Sequence, residues 1–231
     1  MSEAQERWIK RAWREWIRSA LVIIVAVTAF RSAVADWNDV PTGSMKPTIL
    51  EGDRIVVNKL AYDLKIPYTH WRIATWGDPA RGDIVVLTSP ADGKRLVKRV
   101  VGLPGDTIAM DHNRLIVNGE PVAYSSLDPS LVTEFQVDDA GRVLAAEELD
   151  GEPHAMMITP RARTLRSFDP IQVPDGEFFM MGDNRDESFD SRHFGLVDRE
   201  QIYGQALAVA GSVDPDRHFL PRWKRFFTGL R

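Results

Sequence analysis

The segment Pro41-Thr42-Gly43-Ser44-Met45-Lys46-Pro47-Thr48 sets a serine behind a glycine and between two prolines. Such a stretch forms a stiff turn from which a hydroxyl and nearby N–H groups can face a cleft, although it also reads as a plain hydroxyl turn entering a strand. A second candidate is KRLVKRVVGLPGD, residues 94–106. With a two-residue period, Leu96, Lys98 and Val100 share one face, and Val97, Arg99 and Val101 share the other. Whichever face is buried, one cation lies among aliphatic side chains. A lysine held there loses hydration, its pKa falls, and it becomes a general base near neutral pH. On an edge strand it would be a solvated charge.

The third candidate is Gly182-Asp183-Asn184-Arg185-Asp186-Glu187-Ser188-Phe189-Asp190-Ser191-Arg192. Counted as a calcium loop from Asp183, its sixth position is Ser188 rather than glycine and its twelfth is Phe194 rather than glutamate. A network of Asp–Arg pairs and Asx turns, placing small hydroxyls beside a site, suits it better. His70, His112, His154, His193 and His218 show no metal-ligand spacing and read as surface or packing residues. His193 is the histidine nearest this loop for a Ser-His-Asp arrangement, but no G-x-S-x-G elbow exists. Lys46, two residues from Ser44, is an alternative base, with Pro47 pointing to an exposed turn. No P-loop, dinucleotide fingerprint or S-x-x-K is present.

These candidates need a scaffold, and the chain past Trp37 reads as mostly β. Arg54–Val57, Asp83–Leu87 and Leu96–Val101 are β-branched runs between Gly, Pro and Asp. Thr107–Met110 and Leu115–Val117, joined through Asp111-His112-Asn113-Arg114, read as a hairpin, and Asn118-Gly119 is a second turn signal. Phe178–Met181 and Ile202–Val209 complete the expected core strands. The stretch Ala145–Leu149 is the one place past residue 36 where a helix is suggested. Residues 120–175, punctuated by Pro121, Pro129, Pro153, Pro160, Pro170 and Pro174 and acidic at Asp138-Asp139 and Glu147–Asp150, read as an inserted subdomain or long loops.

The 231 residues carry 29 basic and 33 acidic side chains, for a net charge of −4, and no cysteine. Disulfides, thiolate zinc sites and cysteine nucleophiles are thereby excluded. The charge is uneven: +2 over residues 1–18, +5 over residues 217–231, and −11 between them. An acidic body with basic ends is a poor partner for nucleic acid.

Ser19–Phe30 is free of charge, but at about 1.5 Å per residue it covers only roughly 18 Å of an apolar core about 30 Å thick. Extended to Trp16–Ala35, it can span if Arg18 and Arg31 snorkel to the interfaces. The basic residues precede it, which keeps the amino end cytoplasmic and the body outside. Two other readings stay open: a cleavable signal peptide, with Ala33-Val34-Ala35 as the small-x-small site, and a helix lying in the interface.

In this order, and behind an apolar amino-terminal segment, PTGSMKPT, the GD-I-V of residues 82–85, KRVVGLPGD and GDNRDESFDSR resemble the boxes of bacterial type I signal peptidases. The likeness spans residues 17–212, with 120–175 only loosely comparable. It implies a coiled antiparallel β-sheet catalytic domain (residues 36–119 and 176–212) with a β-rich insert (120–175). A cytoplasmic basic end (1–15), a transmembrane anchor (16–35) and a basic aromatic tail (213–231) complete the expected organisation. It further implies a serine endopeptidase of the bacterial inner membrane that removes signal peptides from exported preproteins and needs no metal or cofactor.

Carried over by motif, Ser44 resembles the nucleophile, Lys98 its base and Ser188 the serine that orients the base. The Ser44 N–H and the Thr42 hydroxyl would hold the oxyanion; Thr42 stands where serine is commoner. Asp190 with Arg99 or Arg192 resembles a supporting ion pair. Val40, Pro41, Met45, Leu50, Leu96 and Val97 would border shallow pockets for small side chains at substrate positions −1 and −3. The tail, with Phe219, Trp223, Phe226 and Phe227 among its cations, is expected to touch membrane lipid. The rival readings are a Ser/Lys protease with a dedicated target such as pilus subunits, and a non-enzymatic exported β-domain that binds a partner. An autocleaving repressor would need a DNA-binding domain that residues 1–35 cannot supply.

Overall fold

The computed structural model describes residues 3–67, 69, 71–127, 141–160 and 162–230, with side chains of the first helix described at Trp8 and from Trp13 onward. His70, Pro129, Asp138-Asp139 and Arg231 lie outside the described residues. The fold is mainly β, behind one amino-terminal helix, Glu3–Ala33.

Within that helix Trp13–Ala33 is long and apolar enough to cross a membrane, and its large side chains, Trp13, Trp16, Leu21, Ile23 and Phe30 among them, are exposed. This stretch overlaps the expected 16–35, and the helix itself ends at Ala33. Val34 N–H closes the last turn on Phe30 O, and Ala35–Asp39 is already a strand. The junction is tied down. Lys59 N–H donates to Val34 O, and Asp36 is paired with Arg31 at 2.7 Å and Lys59 at 3.3 Å.

The body is built on a nine-stranded antiparallel sheet. Along its path the order is Ala35–Asp39, Asp53–Asn58, Ile202–Asp214, Ile84–Thr88, Arg95–Gly102, Glu177–Met181 and Val197–Asp198. The short strands Leu220–Pro221 and Thr228–Gly229 also pair with Ile202–Asp214. Bulges at Ile202/Gly204, Ala206/Ala208, Val209/Gly211 and Phe179/Met180 shift the register, which bends a sheet and lets it curl on itself. Both faces of the central strands are covered. Leu96 and Val100 pack with Val85, Leu87, Phe178 and Met180, whereas Val97 packs with Val40, Met45, Ile84 and Val86 on the other side.

Hairpin chemistry sets the rest. His112-Asn113 and Asn118-Gly119 have paired positive φ, the two-residue turn that matches strand twist, and they link Thr107–Asp111, Arg114–Val117 and Glu120–Pro121. Phe168–Gln172 joins the same four-stranded sheet beside Thr107–Asp111, so the expected border at residue 119/120 runs through a sheet. The helix suggested at Ala145–Leu149 is instead part of the strand Val143–Leu149. Asp150-Gly151, with φ of 50° and 84°, turns it back into Glu152–Ile158, and the pairing outweighs the local helix preference of its alanines and glutamates. With Ala123–Ser125 these two strands form a three-stranded sheet within residues 120–175.

Candidate active site

The strand Arg95–Gly102 carries two buried cations facing opposite ways. Lys98 is 2% exposed and Arg99 is 1% exposed. Because both faces of the sheet are packed, the alternation that left one cation to be buried buries both. Lys98 lies opposite Val85 in the sheet, and its Nζ is 2.6 Å from Ser44 Oγ. Burial lowers the lysine to a pKa of about 8, with Asp190 and Asp183 pulling upward and Arg192 pushing down. A lysine tuned in this way is neutral for much of the time near pH 8 and can accept a proton from the hydroxyl it touches.

The turn that carries Ser44 is stitched by Lys46 N–H to Gly43 O and by Ile49 N–H to Met45 O. Its position is set by the loop after Glu177–Met181. Asn184 donates from its side chain to Gly43 O at 3.0 Å and from its backbone to Ser44 O at 3.1 Å. Gly182 passes so close beneath the turn that a Cβ there would lie 2.4 Å from Ser44 O and 2.3 Å from Ser188 Oγ. Only glycine fits that approach.

Four carboxylates hold this loop. Asp190 is fully buried, receives a two-pronged pair from Arg192 at 2.8 Å on each oxygen, and accepts the Gly182 N–H at 3.0 Å. Burial alone would raise its pKa; the Arg192 fork outweighs that and holds it below the ordinary carboxylate range. Arg99 takes the other partner offered by the loop. It grips Asp183 through Nε at 2.8 Å and Nη2 at 2.7 Å, while Thr48 Oγ1 donates to the same carboxylate. Asp186 meets Arg166 and Asn113, and Glu147 meets Arg185. Of the two arginines proposed to support Asp190, Arg192 does so and Arg99 supports Asp183.

Ser188 is buried beside this network. Its Oγ is near enough to Asp190 to help keep it ionised, yet no contact there, nor to Lys98, meets hydrogen-bond geometry among the described residues. Thr42 is exposed, and neither its hydroxyl nor the Ser44 N–H has a hydrogen-bond acceptor among the described residues. Lys46 is turned away, paired with Glu51 at 2.9 Å. His193 is exposed and stacks on Phe189, so it takes no part in a Ser44 triad. Of the expected pocket residues, Val40, Met45 and Val97 share one cluster and Leu96 belongs to the other, with Leu50 buried and Pro41 exposed. Leu96 and Val97 are half-buried. Glu177–Met181 pairs only with the far half of Arg95–Gly102, so the edge at residues 95–98 beside Ser44 has no strand partner on that side among the described residues.

Residues missed in the sequence are Asn184, Gly182, Asp183 and Glu147. The first three lay inside a singled-out loop, but nothing in it named partners 84 and 141 residues away.

Residues 13–210 match the family described as signal peptidase, peptidase S26. Among similar proteins, signal peptidase I of Pseudomonas aeruginosa is 36% identical over 224 residues, covering 91% of this chain and 77% of that protein. Signal peptidase I P of Bacillus subtilis subsp. natto is 33% identical over 205 residues, covering 88% and 92%. Signal peptidase I of Buchnera aphidicola subsp. Acyrthosiphon pisum is 29% identical over 252 residues, covering 93% and 78%.

Proposed function

The chain belongs to the signal peptidase family, peptidase S26, and is thus a serine endopeptidase acting on signal-peptide-bearing substrates, and from this premise we propose that Ser44 and Lys98 form its catalytic dyad. The observation that carries the reading is the 2.6 Å contact between a buried, low-pKa lysine and the Ser44 hydroxyl. Neutral Lys98 takes the proton as Oγ attacks the scissile carbonyl. The oxyanion is held by the Ser44 N–H and Thr42 hydroxyl, both without another acceptor among the described residues. The protonated lysine then donates to the leaving amine, and the same base activates water to release the acyl group. Ser188, buried beside the Asp190–Arg192 pair, is the hydroxyl that would orient Lys98, and the charges of that pair act on the lysine.

The substrate would lie extended along the open edge at residues 95–98, held by main-chain hydrogen bonds. The half-buried Leu96 and Val97, with Val40 and Met45 behind, leave shallow apolar room and favour small residues at −1 and −3. The apolar helix fits membrane anchoring, and the cations ahead of it favour an inner-membrane protein with a cytoplasmic amino end and an exported body. Lipid contact by the tail would rest on its aromatics. Phe219, Leu220, Trp223 and Phe227 are exposed, whereas Arg222 and Arg225 are engaged by Asp214 and Asp53.

Cleavage of a preprotein by Ser44→Ala, Lys98→Met and Lys46→Met variants tests the dyad. The first two are expected to lose activity by at least about a thousandfold, and Lys46→Met to keep it. Retained cleavage by Lys98→Met together with loss in Lys46→Met would reassign the base.

A further inference from the structure

The insert carries a buried carboxylate that the chemistry above does not use. Glu147, on the strand Val143–Leu149, is 0% exposed and receives both terminal guanidinium nitrogens of Arg185, one of them at 2.9 Å. Tyr124, from the neighbouring strand, donates its hydroxyl to the same carboxylate. On the far side His154 Nε2 stands 3.4 Å from Glu147 and 3.9 Å from Asp183. Burial, reinforced by the nearby Arg99 charge, lowers that histidine to about 4, so it is a neutral spacer between the two ion pairs. The companion strand Glu152–Ile158 reaches the loop directly through Met157 N–H to Asp183 O at 2.8 Å. Just beyond it, Thr159 N–H meets the Asp186 carboxylate at 2.7 Å.

The route from this carboxylate to the nucleophile is short. Glu147 holds Arg185; Arg185 is bonded through the backbone to Asn184; Asn184 holds the carbonyls of Gly43 and Ser44. We propose that Glu147 is a positioning residue for catalysis, fixing Arg185 and Asn184 so that the Ser44 turn stays in reach of Lys98, and that the insert is therefore part of the catalytic apparatus. Reacting groups displaced by about 1 Å lose about a hundredfold in rate, so a loose tether at Asn184 should be visible in turnover. If the pair served only to glue the insert to the body, its removal would lower the amount of folded enzyme but not the turnover of each folded molecule.

The proposal rests on Ser44 as the nucleophile, so the experiment carries a control for that reading. Full-length wild type, Ser44→Ala, Glu147→Gln and the double variant Glu147→Leu/Arg185→Met are compared for melting temperature and for kcat and KM on a preprotein, per folded molecule. Exchanging both members of a buried ion pair for apolar residues usually preserves stability, so the double variant keeps the fold even where the single one weakens it. We expect its kcat to fall about tenfold or more, with KM within about twofold. Wild-type kcat in the folded double variant overturns the proposal, as does a rise in KM at unchanged kcat. Should the double variant melt far below wild type, the kcat of folded Glu147→Gln decides by the same criterion. An active Ser44→Ala protein sinks the nucleophile reading and this proposal together; an inactive one beside a fully active double variant sinks the proposal alone.

Discussion

At the scale of single residues, the site works against stability. Lys98 has a pKa of about 8 in the folded protein against its ordinary 10.5, because burial disfavours its charge. Between those values the unfolded chain holds a proton that the folded one has released, so this group's contribution to stability improves as pH rises from about 8 to 10.5. Below pH 8 the charged, buried lysine costs about 3 kcal/mol. Lys98→Met should therefore melt higher than wild type at pH 7 while cleaving nothing, and an unchanged or lower melting temperature in a scanning melt would contradict the assigned burial cost. In the proposed dyad the same ionisation would govern rate. Only neutral lysine accepts the Ser44 proton, so kcat/KM should climb with pH through an apparent pKa near 8 and level off above it. A flat profile between pH 6 and 9 would remove Lys98 from the role of base. Both residue types could be read in the sequence, since a serine in a Gly-Pro turn and a lysine in an aliphatic run are local features. Nothing local joins them across 54 residues, and in the sequence only the family resemblance paired them.

Among elements, the loop 182–192 and the Ser44 turn form one unit, although they are far apart in the chain. Gly182 is the contact point, since a Cβ there meets backbone Ser44 O and cannot be relieved by a rotamer change. Gly182→Ala is expected to cut kcat by at least about tenfold, by pushing the turn away from Lys98. Cleavage kinetics together with a melting curve check this, and wild-type kcat would mean that the turn tolerates the push. The strand pattern of the body was legible because β-branched runs and Asn-Gly turns carry their own signal. The helix suggested at Ala145–Leu149 failed for the opposite reason. A stretch of alanines and glutamates is ambiguous alone, and only the Asp150-Gly151 turn and pairing with Glu152–Ile158 make it a strand.

At the scale of the whole molecule, the first helix and the carboxyl-terminal tail both connect to the central sheet. The helix runs into its first strand, and the tail pairs along Ile202–Asp214 and seals the buried Asp53 with Arg225. Deleting the tail would strip Asp53 of that partner, a loss worth roughly 3–5 kcal/mol, so its lipid contact is better tested in the intact chain. The protein has no cysteine, and Phe227→Cys can carry a single environment-sensitive label in vesicles. We expect the label to be shielded from an aqueous quencher relative to one at Asp92→Cys; equal quenching would argue that the exposed aromatics stay in water.

The sequence by itself determined the chemistry available, the β character of the body and the apolar helix ahead of it, since residue type, period and turn residues act locally. The tertiary structure decided the pairing: which arginine serves Asp190, that Lys46 turns to Glu51 while Lys98 meets Ser44 as the resemblance implied, and that Glu147, within residues 120–175, holds the loop behind Ser44. Buried ion pairs and hydrogen bonds are choices among many equivalent partners. Only the curl of the sheet, which brings strands distant in the chain within about 3 Å of one another's side chains, selects between them.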